Sequence, residues 1–285
     1  MPKTDTTPPS PHAQILNDIT NHLSVETHFP TCMEAALLIL NTLKDGNASL
    51  DRIVSVINTE PQIYTKLLRL ANSVIYNPRS EDIDDMSTAV ARLGYNEVRN
   101  TSLAIAITQM AHSRNARSIF PDVGRLAWEH ALHVATIARS LARLNLEIRP
   151  EEAMLLGMIQ DIGIFYLLFR AAEYPYYGDN RDATLDLLRN HHRGIGQRLQ
   201  YILGLPRQLI LVAARQQRPQ DIETLSSLND CLYIAHLLAD EVAPGLVPLT
   251  PEEKQDIPAC HEYFGGLVSE AHKDVSAFKL ILNAP

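Results

Sequence analysis

The chain has 285 residues, 46% of them hydrophobic and 20% charged, with a formal net charge of −8. These totals describe an ordinary globular protein, long enough to bury a core without disulfides or metals. The negative balance argues against a nucleic-acid binder, whose field is usually positive.

Residues 1–12, "MPKTDTTPPSPH", are rich in Pro and Thr and are expected to be a disordered tail or linker. Helix signals are dense from there on and strand signals scarce. Thr31 with Glu34 makes a capping box, and Gly46 marks a stop. Pro61 opens a helix and Pro78 lies past its end; Ile63, Leu67, Leu70 and Val74 share its apolar face. Ser87 is expected to cap a short helix that Gly94 ends, and residues 95–112 form the next. After Pro121 comes a long helix with Ala127, Val134, Ile137, Ala138, Leu141 and Leu144 on one face. Pro150 with Glu151 and Glu152 opens another.

The apolar run Ala153–Phe169 is shorter than a bilayer crossing and contains Gln160, Asp161 and two glycines, so core is expected. The segments "DATLDLLRNHH", "GQRLQYILG", "PRQLILVAARQQ" and "LSSLNDCLYIAHLLADEV" each have helical period. Residues 250–285 add one or two helices, expected to pack on the second half. The class is all-α, with short connections and no internal repeat. The cysteines, Cys32, Cys231 and Cys260, form no CxxC pair. With no signal peptide in view, reduced thiols and a cytoplasmic location are expected, without membrane or nucleic-acid partners.

Several polar residues fall on apolar faces in the second half. His130 lies four residues before Val134; Gln160–Asp161 interrupts the most apolar run. His192 shares a face with Gly196, Leu199 and Leu203, and Gln216 follows Leu209, Val212 and Ala213 inward. Each admits a structural reading. His130 is then a buried histidine with Trp128 and Glu129 beside it, and Asp161 caps the next helix. His191 and His192 then start a helix, and Gln217 is exposed. Asn72, a poor helix former in an apolar pattern, is either a buried amide joining the two halves or a contact to a ligand, with Arg69 on the same surface. The three tyrosines of "EYPYYGDNRD" are either packing or an interface patch.

The order of His130, Asp161 and His192 on successive helices resembles the HD superfamily of metal phosphohydrolases. "TEPQIYTKLLRLANSVIY" with "STAVARLGYNEVRNTSLAIAI" is similar to the HDOD domain, a bacterial signalling relative, and "WEHALHVATIARSLA" and "EEAMLLGMIQDIG" continue the likeness over roughly residues 20–220. The resemblance implies an N-terminal helical half (13–115) packed on a degenerate HD-like half (116–245), followed by a helical extension (246–285). It gives Arg69, Asn72, Ser73 and Gly94 structural roles in the family motif.

It also locates the departures. The His-Asp doublet of the HD superfamily reads Gln160-Asp161 here, and its frequent His-His pair reads Gln216-Gln217. A neutral amide is a weak ligand for transition metals. The expectation is therefore a module without catalytic residues, metal or cofactor, whose vestigial pocket of His130, Gln160, Asp161, His192, Gln216 and Gln217 is a possible ligand site. It would act in bacterial signal transduction through a separate protein partner or by sensing a small ligand. The alternatives are a phosphohydrolase with a reduced ligand set, for which three metal ligands can suffice, and a nucleotide receptor using the old pocket.

Overall fold

The computed structural model describes residues 10–23, 31–45 and 47–283, and among these every regular element is an α-helix. The first, α1 (Pro11–His22), starts inside the stretch expected to be a tail. Ser10 caps it by accepting from the Ala13 amide, and Pro11 takes the first helical position. Its buried Ile15 and Ile19 pack it down, and the Tyr174 hydroxyl donates to Asp18, which ties α1 to the second half of the chain. Residues 1–9, the Thr31 side chain with its predicted capping box, Cys32 and the stop at Gly46 lie outside the described residues.

The N-terminal half continues with α2 (Thr31–Lys44), α3 (Leu50–Asn58), α4 (Pro61–Ala71), α5 (Met86–Leu93) and α6 (Tyr95–Ala111). Ile63, Leu67 and Leu70 are buried as expected, but Val74 is 80% exposed because α4 ends at Ala71. Asn72 closes the helix. Its amide donates to the carbonyls of Leu68 and Ile83, and its oxygen accepts from the Ile83 amide. The expected buried amide between the halves is thus corrected: Asn72 is exposed, and the loop it fastens belongs to its own half. Ser73 donates to the Leu70 carbonyl, and Arg69 is exposed. Asp85, not Ser87, caps α5, accepting from the Thr88 amide. Gly94, at φ +77°, makes the turn from α5 into α6 in a region that L side chains rarely adopt.

A short α7 (Arg114–Ser118) leads into α8 (Pro121–Ala142), the axis of the second half. Leu144 lies past its end and is exposed, leaving the predicted face one residue shorter. Around α8 come α9 (Pro150–Ile159), α10 (Ile162–Ala171), α11 (Pro175–Gly178), α12 (Arg181–Ile202), α13 (Arg207–Arg215) and α14 (Leu228–Val242). Gly157 lets α9 lie directly on α8, since a Cβ there would fall 2.4 Å from the Ala135 Cα. The stretch Pro150–Ala171 is long and apolar enough to cross a membrane by composition, but 83% of its most apolar window is buried in the protein and it breaks at Gln160–Asp161. Of the three tyrosines in the predicted loop, Tyr177 is buried and Tyr176 exposed, with α11 between loop ends.

The halves join through named polar contacts. Asn100 donates to the Glu151 carbonyl at 2.8 Å, and the Arg139 guanidinium to the Tyr76 hydroxyl at 2.8 Å. Glu97 is buried in the same network, where burial pushes its carboxyl above the usual range and Arg139 pulls it back. The tail forms one helix, α15 (Pro251–Asn283), with Pro258 inside it. It packs on α8 and α14, and Lys66 of α4 donates to the Leu282 carbonyl. The extension therefore spans both halves rather than the second alone.

Candidate ligand site

The site begins where α10 crosses α12. A Cβ on Gly163 would fall 1.9 Å from the His192 carbonyl oxygen and 2.8 Å from the Gly196 nitrogen, so the two backbones touch there. The sequence suggested His191 and His192 as the start of a helix; α12 instead runs unbroken over 22 residues through them and through Gly194 and Gly196. Contact on α10 holds the crossing together, and it sets His192 mid-helix rather than at a start. The His192 Nδ1–H donates to the Leu188 carbonyl at 2.8 Å, which leaves Nε2 facing Asp161 Oδ1 at 3.9 Å. That is too far for a direct hydrogen bond.

Asp161 stands at the N-cap position of α10, yet its side chain makes no cap bond. The expected capping role is corrected. The carboxylate turns into a cavity of about 280 Å³ instead of back to the helix amides.

His130, fully buried on α8, reaches this cavity from the other side. Its Nδ1–H donates to the Ala243 carbonyl at 2.7 Å, not to Trp128 or Glu129, and its Nε2 lies 3.1 Å from Nδ1 of His236. A carbonyl can only accept, so in the neutral pair His236 donates to His130, and its Nε2 keeps a lone pair. Burial pushes the His236 imidazole down to about 4, with His130 adding to the effect and Asp161 opposing it. Sequence reasoning missed His236. The available signal was its spacing of four from Leu232 and from Asp240 on one helix.

The two glutamines, Gln160 and Gln216, find each other. Gln216 Nε2 donates to Gln160 Oε1 at 2.9 Å. Gln216 closes α13 at φ +40°, a left-handed conformation that is costly for a side-chain-bearing residue. It lines the cavity; Gln160, 4% exposed, lies behind it. Gln217 is exposed, and its backbone amide donates to Asn229 outside the site. Gln160 and Gln217 are therefore not wall residues of the predicted pocket.

The remaining wall comes from Arg189 and Arg193 on α12 and from the loop between α14 and α15. Arg189 donates to the Leu246 carbonyl of that loop at 3.1 Å. Glu253, in the first turn of α15, accepts from the Thr250 amide. The wall thus mixes cations, carboxylates and imidazoles. A divalent metal of the HD type does not fit this set. Both nitrogens of His130 are engaged, the amides are bonded to each other, and among the described residues no three His, Cys, Asp or Glu side chains converge as metal donors.

A histidine on α8, a carboxylate between α9 and α10 and a histidine on α12 stand around one cavity of an HD-like helical fold. The chain belongs to the HDOD domain family, whose model matches residues 29–219. Its fold is similar to that of a protein from Shewanella amazonensis SB2B provisionally named a metal-dependent phosphohydrolase, at 18% identity over 93% of this chain and 98% of that one, with a TM-score of 0.69. It is also similar to an HDOD domain protein of unknown function from Geobacter sulfurreducens, at 19% identity over 95% and 97% of the two chains and a TM-score of 0.60. A third, from Marinobacter aquaeolei VT8 and provisionally named a signal transduction protein, is 18% identical, with 96% of this chain and 65% of that one covered and a TM-score of 0.53. These are likenesses of fold. No curated protein matches the sequence.

Proposed function

We propose that this chain is a non-catalytic bacterial signalling module of the cytoplasm that reads a small ligand in the HD-derived cavity and passes the result to a protein partner. The observation that carries this reading is the Gln216–Gln160 hydrogen bond. Two positions that by resemblance correspond to metal ligands of the HD superfamily are here neutral amides bonded to one another. A cavity of about 280 Å³ survives beside them, and it still holds Asp161, His192 and the unshared nitrogen of His236. Family membership supports the signalling role, and the Marinobacter neighbour carries a signalling name.

A reduced-ligand phosphohydrolase is the second reading. It is favoured by the 3.9 Å approach of His192 Nε2 to Asp161 Oδ1 and by the name of the Shewanella neighbour. Metal analysis of protein purified without added metal or chelator separates the two, together with an assay on generic phosphodiesters. The signalling module holds less than stoichiometric metal and shows no turnover. One tightly held ion per chain, lost with turnover in Asp161→Asn, overturns that reading.

A further inference from the structure

A second cavity, of about 310 Å³, lies where the two halves meet and shares no wall residue with the first. Its floor is apolar: Leu40 and Leu43 of α2 on one side, Leu205 and Pro206 of the α12–α13 turn on the other. Its polar groups are Lys44, Tyr95, Asn96 and Arg99. Among the described residues no carboxylate lines it, although the whole chain carries a net charge of −8. Lys44 is exposed and Arg99 half-buried, so both keep contact with water, and an anion between them would meet two cations that no carboxylate among the described residues neutralises.

The surroundings are built to hold them. Gly204 sits at φ +62°, and a Cβ there would fall 1.6 Å from Lys44 Nζ, so glycine clears the space the ammonium occupies. Lys44 donates one hydrogen to the Leu203 carbonyl at 3.2 Å and keeps two for another acceptor. Arg99 donates through Nε to the Asn100 side chain, leaving its terminal nitrogens unassigned. Glu152, the carboxylate that acts on Arg99, is itself paired with Arg149 at 3.0 Å. Burial lowers the affinity of both cations for their protons, and Arg99 further lowers that of Lys44. The Asn96 amide makes no hydrogen bond among the described residues. Tyr95 and Asn96 form the first turn of α6, a 17-residue helix whose N-cap, Gly94, has no side chain to satisfy its amides.

We propose that this junction cavity binds a small organic phosphate, with the phosphate held by Lys44, Arg99 and Asn96 and the apolar part lying on Leu40, Leu43 and Leu205. Two cations match a phosphate monoester, whose charge is close to −2 at neutral pH. The apolar floor and the volume favour an ester over the bare ion. Because α2 and α6 belong to one half and the α12–α13 turn to the other, an occupant touches both.

The test is calorimetric titration of the full chain with phenyl phosphate, inorganic phosphate and phenol. Phenyl phosphate is expected to bind one to one, more tightly than inorganic phosphate, and phenol not at all. Lys44→Gln and Arg99→Gln should each weaken it roughly tenfold or more, as loss of a charged hydrogen bond does. Arg193→Gln, in the other cavity, should leave it within about twofold. Lys44 is exposed, so its variant keeps the fold and serves as the reading if Arg99→Gln does not. The proposal is overturned by absence of saturable binding, by equal binding of the bare ion, by wild-type affinity in Lys44→Gln, or by loss in Arg193→Gln alone.

Discussion

The HD-derived cavity and the junction cavity differ in where their polar groups find partners. In the first, His130 is bonded at both nitrogens, Gln160 and Gln216 are bonded to each other, and charges of both signs face the space. In the second, the charges facing the space among the described residues are both cations, and neither has a carboxylate within ion-pair distance there. The first set is satisfied only in part, since Gln160 Nε2 is buried without a hydrogen-bond partner among the described residues; in the second, like charges without a counter-ion gain from an anion. Ancestry directs attention to the first cavity, whereas the electrostatics make the stronger case for a bound anion in the second.

That comparison can be broken most sharply at Gly163. Any side chain there meets the α12 backbone, so Gly163→Val should destabilise by more than about 3 kcal/mol in denaturant melts, beyond ordinary overpacking, and should disturb the HD-derived cavity first. A melt within about 1 kcal/mol of wild type would mean that α10 and α12 do not cross in contact. Asn72→Leu is the control away from both cavities. It strands the Ile83 amide and carbonyl and should cost roughly 1–3 kcal/mol without changing phenyl phosphate affinity.

Acid should act on the HD-derived side. His236 and His133 are both held down to about 4 from 6.5, each mainly by burial. Between those values the unfolded chain binds more protons than the folded one. Stability therefore falls as pH drops from about 6.5 towards about 4 and levels off below. Melting temperatures at pH 7 and pH 5 should show a loss that His236→Gln reduces; an unchanged loss would remove His236 from the account. The smallest effect is expected at Asp161. With no cap bond to lose, Asp161→Ala should stay within about 0.5 kcal/mol of wild type, and a cost above about 1.5 kcal/mol would restore the capping role.

The sequence by itself determined the all-α class, the core identity of Ala153–Phe169, and the inward positions of His130, His192 and Gln216. Those follow from helical period and from Pro at helix starts, which are local properties of the chain, whereas the caps expected at Ser87 and Asp161 did not form. The HDOD motifs were legible for the same reason, as short runs of neighbouring residues. Only the tertiary structure decided the partners. His236 meets His130 across 106 residues, and Gln216 meets Gln160 across 56. The helix stop at Ala71 depended on Ile83, and the unbroken α12 on a glycine of another helix. The junction cavity unites Lys44, Arg99 and Gly204, which no spacing rule connects. Periodicity reports which side of a helix is buried; which group it is buried against is set by how distant helices pack, and the chemistry of both cavities resides in that choice.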